Sequence, residues 1–204
     1  MSDYWDDQYH QRPGSHSEQN VAIARDFFSN AASHPVLMRS LADAGSILEV
    51  GCGTGEMCRL IHETWPSKEV LGTDACRAAI DEAKLRNKGL SFVFADVTLP
   101  LLPQVDHRFD IVVCSHVLEH FKNPWPVVDN MLGAAGEAII IVPNDQPVTD
   151  GYAQEGGAGH VFQFTLDSLS ERYEVLDSLL FASDGWQCSN SELILTVLLT
   201  ASGS

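Results

Sequence analysis

The sequence predicts an α/β protein built on a doubly wound, mostly parallel seven-stranded sheet with an antiparallel terminal hairpin. Three observations predict it. Short apolar runs alternate with helical patterns from residue 18 to about residue 172. Within that alternation, Ile47-Leu48-Glu49-Val50-Gly51-Cys52-Gly53-Thr54-Gly55-Glu56-Met57 carries a strand pattern into three alternately placed glycines and then into an amphipathic segment. Finally, two strand-like runs, Tyr173 to Phe181 and Glu192 to Thr200, flank a polar turn holding Asp184, Gly185 and Asn190.

Each element has its own justification. Glu18 to Asn30 reads as a helix because Val21, Ala24, Phe27 and Phe28 recur at helical spacing. A short helix is expected over Pro35 to Leu41. Ser46 to Val50 is the first strand, and Met57 to Thr64 the helix that follows the glycine turn. Val70 to Thr73 is the second strand, with a helix from Arg77 to about Arg86 behind it. Ser91 to Ala95 and Asp110 to Ser115 supply the third and fourth strands. Pro124 to Leu132 is a helix, with Pro124 suited to its first turn. Ala138 to Val142 is wholly apolar, as a strand covered on both faces should be. Pro143 to His160 is irregular and rich in glycine, and Leu166 to Ser170 is a short helix before the hairpin. There are no internal repeats and no low-complexity tract.

Composition narrows the partners. A chain of 204 residues with 45% apolar and 20% charged residues suits one globular domain, burying about 70% of its unfolded surface. Twelve Lys and Arg against 28 Asp and Glu leave a formal charge of −16, a field that repels phosphate backbones and anionic lipids. Neither nucleic acid nor a membrane is therefore an expected partner. The five cysteines Cys52, Cys58, Cys76, Cys114 and Cys188 form no C-x-x-C pair and read as reduced, buried thiols of a cytoplasmic protein. Met1 to Gly14 is polar, without the apolar stretch of a signal peptide. No apolar run approaches the ~20 residues of a membrane span.

The glycine turn points to a ligand. Glycine lets the backbone turn sharply and approach a bound molecule closely, and open α/β sheets bind ligands where such turns leave the strands. A dinucleotide fingerprint requires a glycine at position 56, where Glu56 stands instead. A carboxylate there repels a pyrophosphate, so a ligand without phosphates fits better. The second strand ends at Asp74, 23 residues after Gly51, the spacing at which an acid receives ribose hydroxyls. The third ends in Ala95-Asp96-Val97, where a carboxylate can accept from an exocyclic amine. The fourth runs into Cys114-Ser115-His116-Val117-Leu118-Glu119-His120.

From about Tyr4 to Thr165, this order resembles a class I S-adenosylmethionine-dependent methyltransferase of the small-molecule branch. Leu48-Glu49-Val50-Gly51-Cys52-Gly53-Thr54-Gly55 and Phe109 to His120, separated by Asp74 and Asp96, carry the resemblance. It implies the Rossmann-like methyltransferase fold, with S-adenosylmethionine as cofactor. Glu49, Gly51, Cys52 and Gly53 would line its methionine part, and Asp74 with Ala75 would hold the ribose. Asp96 and the Val97 amide would read the adenine, while Ser115, His116 and Val117 would pass under the sulfonium. Tyr4-Trp5-Asp6-Asp7-Gln8-Tyr9 is similar to a segment that folds over the cofactor, where aromatic rings attract a cation. On this reading 1–45 is an N-terminal cap, 46–142 the cofactor-binding half and 143–204 the substrate loop and closing hairpin of a single domain.

His160 follows the glycine-rich loop in Gly159-His160-Val161-Phe162-Gln163-Phe164-Thr165, which also resembles a segment of related small-molecule methyltransferases. It is the candidate catalytic residue, able to orient the acceptor or take its proton near neutral pH. Glu119 and His120 read instead as the structural start of a helix. Tyr152, His160, Phe162 and Trp186 suit a flat aromatic or heterocyclic acceptor of oxygen or nitrogen type. No metal site is expected, because the acids and histidines lack ligand spacing. The expected state is monomer or homodimer. A nicotinamide oxidoreductase is disfavoured by Glu56 and by the lack of a Tyr-x-x-x-Lys pair. The remaining alternative is a non-catalytic S-adenosylmethionine-binding module serving a partner protein.

Overall fold

The computed structural model describes residues 17–144, 160–183 and 192–201. Helices α1 (Ser17–Ala31) and α2 (Pro35–Asp43) precede strand β1 (Ser46–Val50) and helix α3 (Glu56–Thr64). Then follow β2 (Glu69–Asp74), α4 (Arg77–Arg86), β3 (Ser91–Phe94), the one-turn α5 (Leu102–Val105) and β4 (Phe109–Ser115). A single 3-10 turn (Leu118–His120), α6 (Trp125–Ala134), β5 (Ala135–Pro143), α7 (Leu166–Ser170), β6 (Tyr173–Ser183) and β7 (Glu192–Ala201) complete the described chain.

The strands form one seven-stranded sheet in the order β3-β2-β1-β4-β5-β7-β6. All neighbouring pairs from β3 to β5 are parallel, and β7 runs antiparallel to both β5 and β6. The expected architecture, terminal hairpin included, is thus the observed one.

Central strands are apolar at nearly every position, and the two-residue period of a strand decides only which face each side chain serves. Leu48, Val112, Cys114, Ile140 and Val142 pack on one face, with Val105 of α5, Val128 of α6 and Leu169 of α7. Ile47, Ile111, Val113, Ile139 and Ile141 pack on the other, with Phe27 of α1, Leu37 of α2, Ile61 of α3 and Ile80 of α4. Each large side chain so buried contributes roughly 1.5–3 kcal/mol relative to exposure.

Register brings the strand tips level. Val50 pairs with Thr73 on one side and Cys114 on the other, while Asp74 aligns with Phe94 and Ser115 with Ile141. The chain leaves β1 towards β2 and β3, then returns to lay down β4 and β5 on the opposite side. Between β1 and β4 the winding therefore reverses, and a crevice opens at their carboxyl ends.

Several details differ from expectation. Helix α5 was not anticipated, because four residues cannot display a helical period. Pro124 occupies the cap of α6 (φ −79°, ψ −14°), and Pro126 takes the first-turn place expected of Pro124. Strand β5 begins at Ala135 rather than Ala138, and Glu119 and His120 belong to an isolated 3-10 turn rather than to a longer helix. Among the described residues, no helix is long and apolar enough to cross a membrane.

Candidate functional site

The crevice at the β1/β4 switch is lined by Glu49, Gly51, Cys52, Ser115 and His116, all anticipated, and by Ile23, Glu56 and Met57. Its floor is the glycine turn. Gly51 (φ +72°), Gly53 (φ +52°) and Gly55 (φ +86°) all adopt left-handed conformations. A β-carbon on Gly51 would lie 2.2 Å from Val117 Cγ2, and one on Gly55 would lie 2.7 Å from both Asn87 Nδ2 and Phe92 Cζ. Gly51 N–H and Cys52 N–H both donate to the Thr73 carbonyl, at 2.8 and 2.9 Å, tying the turn to β2. Asn87, which sequence reasoning did not single out, donates from Nδ2 to the Thr54 carbonyl at 2.8 Å.

Three carboxylates surround this floor. Glu49 Oε2 accepts from Cys58 N–H at 2.9 Å. Burial pushes its pKa up to about 8; the Cys58 hydrogen bonds oppose the rise, and the Glu56 and Asp74 charges add to it. Glu56 is buried, accepts from Thr54 Oγ1 at 2.6 and 2.8 Å, and has Arg86 Nη1 3.9 Å away. Burial, reinforced by these carboxylates, also raises the pKa of the Cys52 and Cys58 thiols, which keeps them protonated packing groups. Such surroundings favour a cationic guest over an anionic one.

Asp74 spans the turn and the next helix. Its Oδ2 accepts from Gly53 N–H at 2.9 Å and its Oδ1 from Cys76 N–H at 2.8 Å. The cap of α4 is Cys76 itself, whose Sγ accepts from Ala79 N–H at 3.4 Å. Ala75 bridges the two, half-buried. Each carboxylate oxygen has more than one acceptor site, so these backbone bonds leave capacity for hydroxyl donors.

Farther along the strand tips, Asp96 is half-buried and Val97 is buried. Asp96 Oδ1 accepts from Thr98 N–H at 2.9 Å and from Thr98 Oγ1 at 2.6 Å. Gln104 of α5 bonds the Asp96 backbone in both directions, at 2.9 and 3.0 Å, and Asn130 donates to the Val97 carbonyl at 2.8 Å. Neither amide carried a sequence signal, since one lies in a one-turn helix and the other on the polar side of α6.

At the β4 exit, His116 has φ +55°, a conformation that costs a non-glycine residue about 1–3 kcal/mol. Its N–H donates to the Ile141 carbonyl at 2.9 Å, and Ser115 Oγ lies 3.0 Å from its Nδ1. Burial, with His160 and His120 nearby, lowers its pKa to about 3, so the ring is neutral at physiological pH.

Beyond it the chain crosses to the segment bearing His160. The Glu119 carbonyl accepts from Val161 N–H at 2.8 Å and Phe162 N–H at 3.1 Å. His160 Nε2 lies 4.0 Å from Glu119 Oε1, and the His120 and His160 ring centroids are 5.4 Å apart. Phe162 packs edge-on against Trp125 at 5.3 Å, which anchors the segment below His160. One potential ligand atom from each of Glu119, His120 and His160 lies within 4.8 Å of the others. Linear spacing gave no hint of this grouping. Tyr4, Trp5, Tyr152 and Trp186 lie outside the described residues.

Residues 47–134 match the family model described as a methyltransferase domain. Among curated proteins, the chain is 38% identical over 109 residues to trans-aconitate 2-methyltransferase of Escherichia coli, covering 52% of this chain and 42% of the relative. It is 31% identical over 85 residues to the ubiquinone/menaquinone biosynthesis C-methyltransferase of Desulfotalea psychrophila, covering 42% and 35%. The chain thus spans less than half the length of these relatives. Among solved structures, magnesium protoporphyrin IX methyltransferase from Synechocystis PCC 6803, crystallised with bound SAM, superposes with a TM-score of 0.67. That superposition covers 98% of this chain and 95% of the other at 13% identity, a likeness of fold.

Proposed function

We propose that this protein, whose residues 47–134 match the family model described as a methyltransferase domain, transfers the methyl group of S-adenosylmethionine to a small-molecule acceptor. The observation that carries the reading is the junction of Gly53 and Asp74. Their 2.9 Å hydrogen bond sets a carboxylate against backbone bared by glycines at the carboxyl ends of β1 and β2, beside the switch between β1 and β4. In this reading Asp74 and Ala75 hold the ribose, and Asp96 with the Val97 amide meets the adenine. Glu49, Gly51, Cys52 and Gly53 receive the methionine part, and Ser115, His116 and Val117 run beneath the sulfonium.

The electrostatics of the crevice support this ligand. A sulfonium and an α-ammonium are cations, and Glu49, Glu56 and Asp74 surround the space they would fill. The reaction itself is an in-line displacement. The carbon–sulfur bond breaks as the new bond to the acceptor forms, and the electron pair stays on sulfur. Alignment alone supplies on the order of 7–11 kcal/mol of barrier reduction. His160, held by the Val161 and Phe162 bonds to Glu119, orients the acceptor.

Titration calorimetry with S-adenosylmethionine and S-adenosylhomocysteine tests the binding half, and label transfer from methyl-labelled cofactor into a metabolite extract tests the catalytic half. Heat with no label in any acceptor would reduce the protein to a binding module. No heat with either compound would overturn the reading altogether.

A further inference from the structure

We propose that Glu119, His120 and His160 form a divalent transition-metal site next to His116, which itself lines the crevice. One carboxylate oxygen and two imidazole nitrogens lie within 4.8 Å of one another. Ligands bound at about 2.1 Å from an ion stand roughly 3–3.4 Å apart in cis or tetrahedral arrangements. Small side-chain rotations therefore close the set, starting from the 4.0 Å between His160 Nε2 and Glu119 Oε1.

The backbone makes this more than a chance encounter. Glu119 and His120 sit on one 3-10 turn, and the Glu119 carbonyl clips the segment bearing His160 to that turn through two hydrogen bonds. Trp125 and Phe162 pack beneath the clip. Donors from two stretches of chain forty residues apart are thereby held in register. Glu119 is fully buried and His160 largely so, which shields the set from bulk water.

Ligand type selects the ion. Imidazole nitrogen suits Zn²⁺, Co²⁺, Fe²⁺ and Ni²⁺, whereas Ca²⁺ and Mg²⁺ prefer all-oxygen shells. Three protein donors leave positions open for water or substrate, as in catalytic rather than structural zinc sites.

What such an ion would do rests on the methyl-transfer reading above. It would hold an acceptor oxygen and lower the pKa of its hydroxyl, so that the proton leaves to water before transfer. The metal-bound oxyanion then forms its bond to the methyl carbon as the carbon–sulfur bond breaks. The products are the methylated oxygen acceptor and S-adenosylhomocysteine. This deepens the acceptor assignment, favouring hydroxyl or carboxylate oxygen over nitrogen.

The test uses the full chain stripped with chelator, then titrated with Co²⁺ while d–d absorption is followed, and with Zn²⁺ in competition. One equivalent of Co²⁺ should bind, give tetrahedral or five-coordinate bands, and be displaced by Zn²⁺. His160→Ala and Glu119→Gln should each weaken Co²⁺ binding at least about 100-fold, more than the loss of an outer-shell partner costs. His107→Ala, an exposed histidine on another surface, should leave it unchanged. S-adenosylmethionine binding by calorimetry and circular dichroism on the same samples report whether each variant is folded. Should Glu119→Gln unfold, His160→Ala decides. Cofactor binding without saturable Co²⁺ uptake, or Co²⁺ uptake equal in wild type and His160→Ala, overturns the site and leaves the methyltransferase reading standing. Stoichiometric Co²⁺ uptake without cofactor binding upholds the site and overturns that reading instead.

Discussion

Gly51 and Val117 are fitted to each other so closely that a single added methyl group on the glycine would lie 2.2 Å from Val117 Cγ2. The two residues sit at the tips of adjacent parallel strands, one entering the glycine turn and the other leaving β4. This contact fixes how near the turn lies to the chain segment that would pass beneath the sulfonium.

Gly51→Ala should therefore cost about 2–4 kcal/mol, combining the left-handed φ penalty with overpacking. Thermal melting would show it as a lower Tm, and calorimetry as lost S-adenosylmethionine binding. Adding Val117→Ala should recover part of the stability, because it relieves the overlap and leaves the backbone penalty. A double variant no more stable than Gly51→Ala would mean that the contact carries none of the cost.

Replacing Asp74 by Ala should weaken cofactor affinity by about 1–3 kcal/mol, the scale of a lost charged hydrogen bond. The same variant should also melt earlier, since Gly53 N–H and Cys76 N–H lose their acceptor. Unaltered affinity measured by calorimetry would refute the ribose assignment, whatever happens to stability.

Glu49 gives the folded protein a pH dependence of definite sign. Its carboxyl titrates at about 8 when folded and near its ordinary 4.5 when unfolded, so between those values the folded chain holds the extra proton. The contribution of this group is fully present below the lower value and is lost as the pH rises through the upper one, with a limiting slope of about 1.4 kcal/mol per pH unit. Urea midpoints at pH 5, 6, 7 and 8 should fall accordingly for the ligand-free protein, and Glu49→Gln should flatten the trend. A cation binding beside Glu49 should release a proton near pH 7, read as a binding heat that varies with the ionisation enthalpy of the buffer.

His160→Ala should lower turnover about 10²-fold or more while leaving cofactor affinity nearly intact, as follows from the acceptor-side role proposed for it. Initial rates with the true acceptor, together with calorimetry of the cofactor, check both halves. Unchanged turnover removes His160 from the reaction.

The sequence carried the architecture because its strongest signals are local. Ala138 to Val142 is wholly apolar since both faces of β5 are covered, and three glycines at alternate positions admit few backbone paths. The division of those apolar residues between two faces was not legible, because a continuous run hides the period of two. In the site, Gly51, Asp74 and Ser115 were visible by their places at strand ends, and Glu49 through the family resemblance. Gln104 was not, since four residues of α5 cannot display helical spacing. Nor was the meeting of Glu119, His120 and His160, which depends on a carbonyl reaching across forty positions of sequence to two backbone amides.

Strand β7 lies between β5 and β6 although it follows both in the chain. While the ribosome has delivered β6 but not β7, β5 presents an unpaired apolar edge and β6 has no strand to pair with. The nascent polypeptide thus passes through an interval of exposure to self-association that ends only when a late segment slides into a waiting slot.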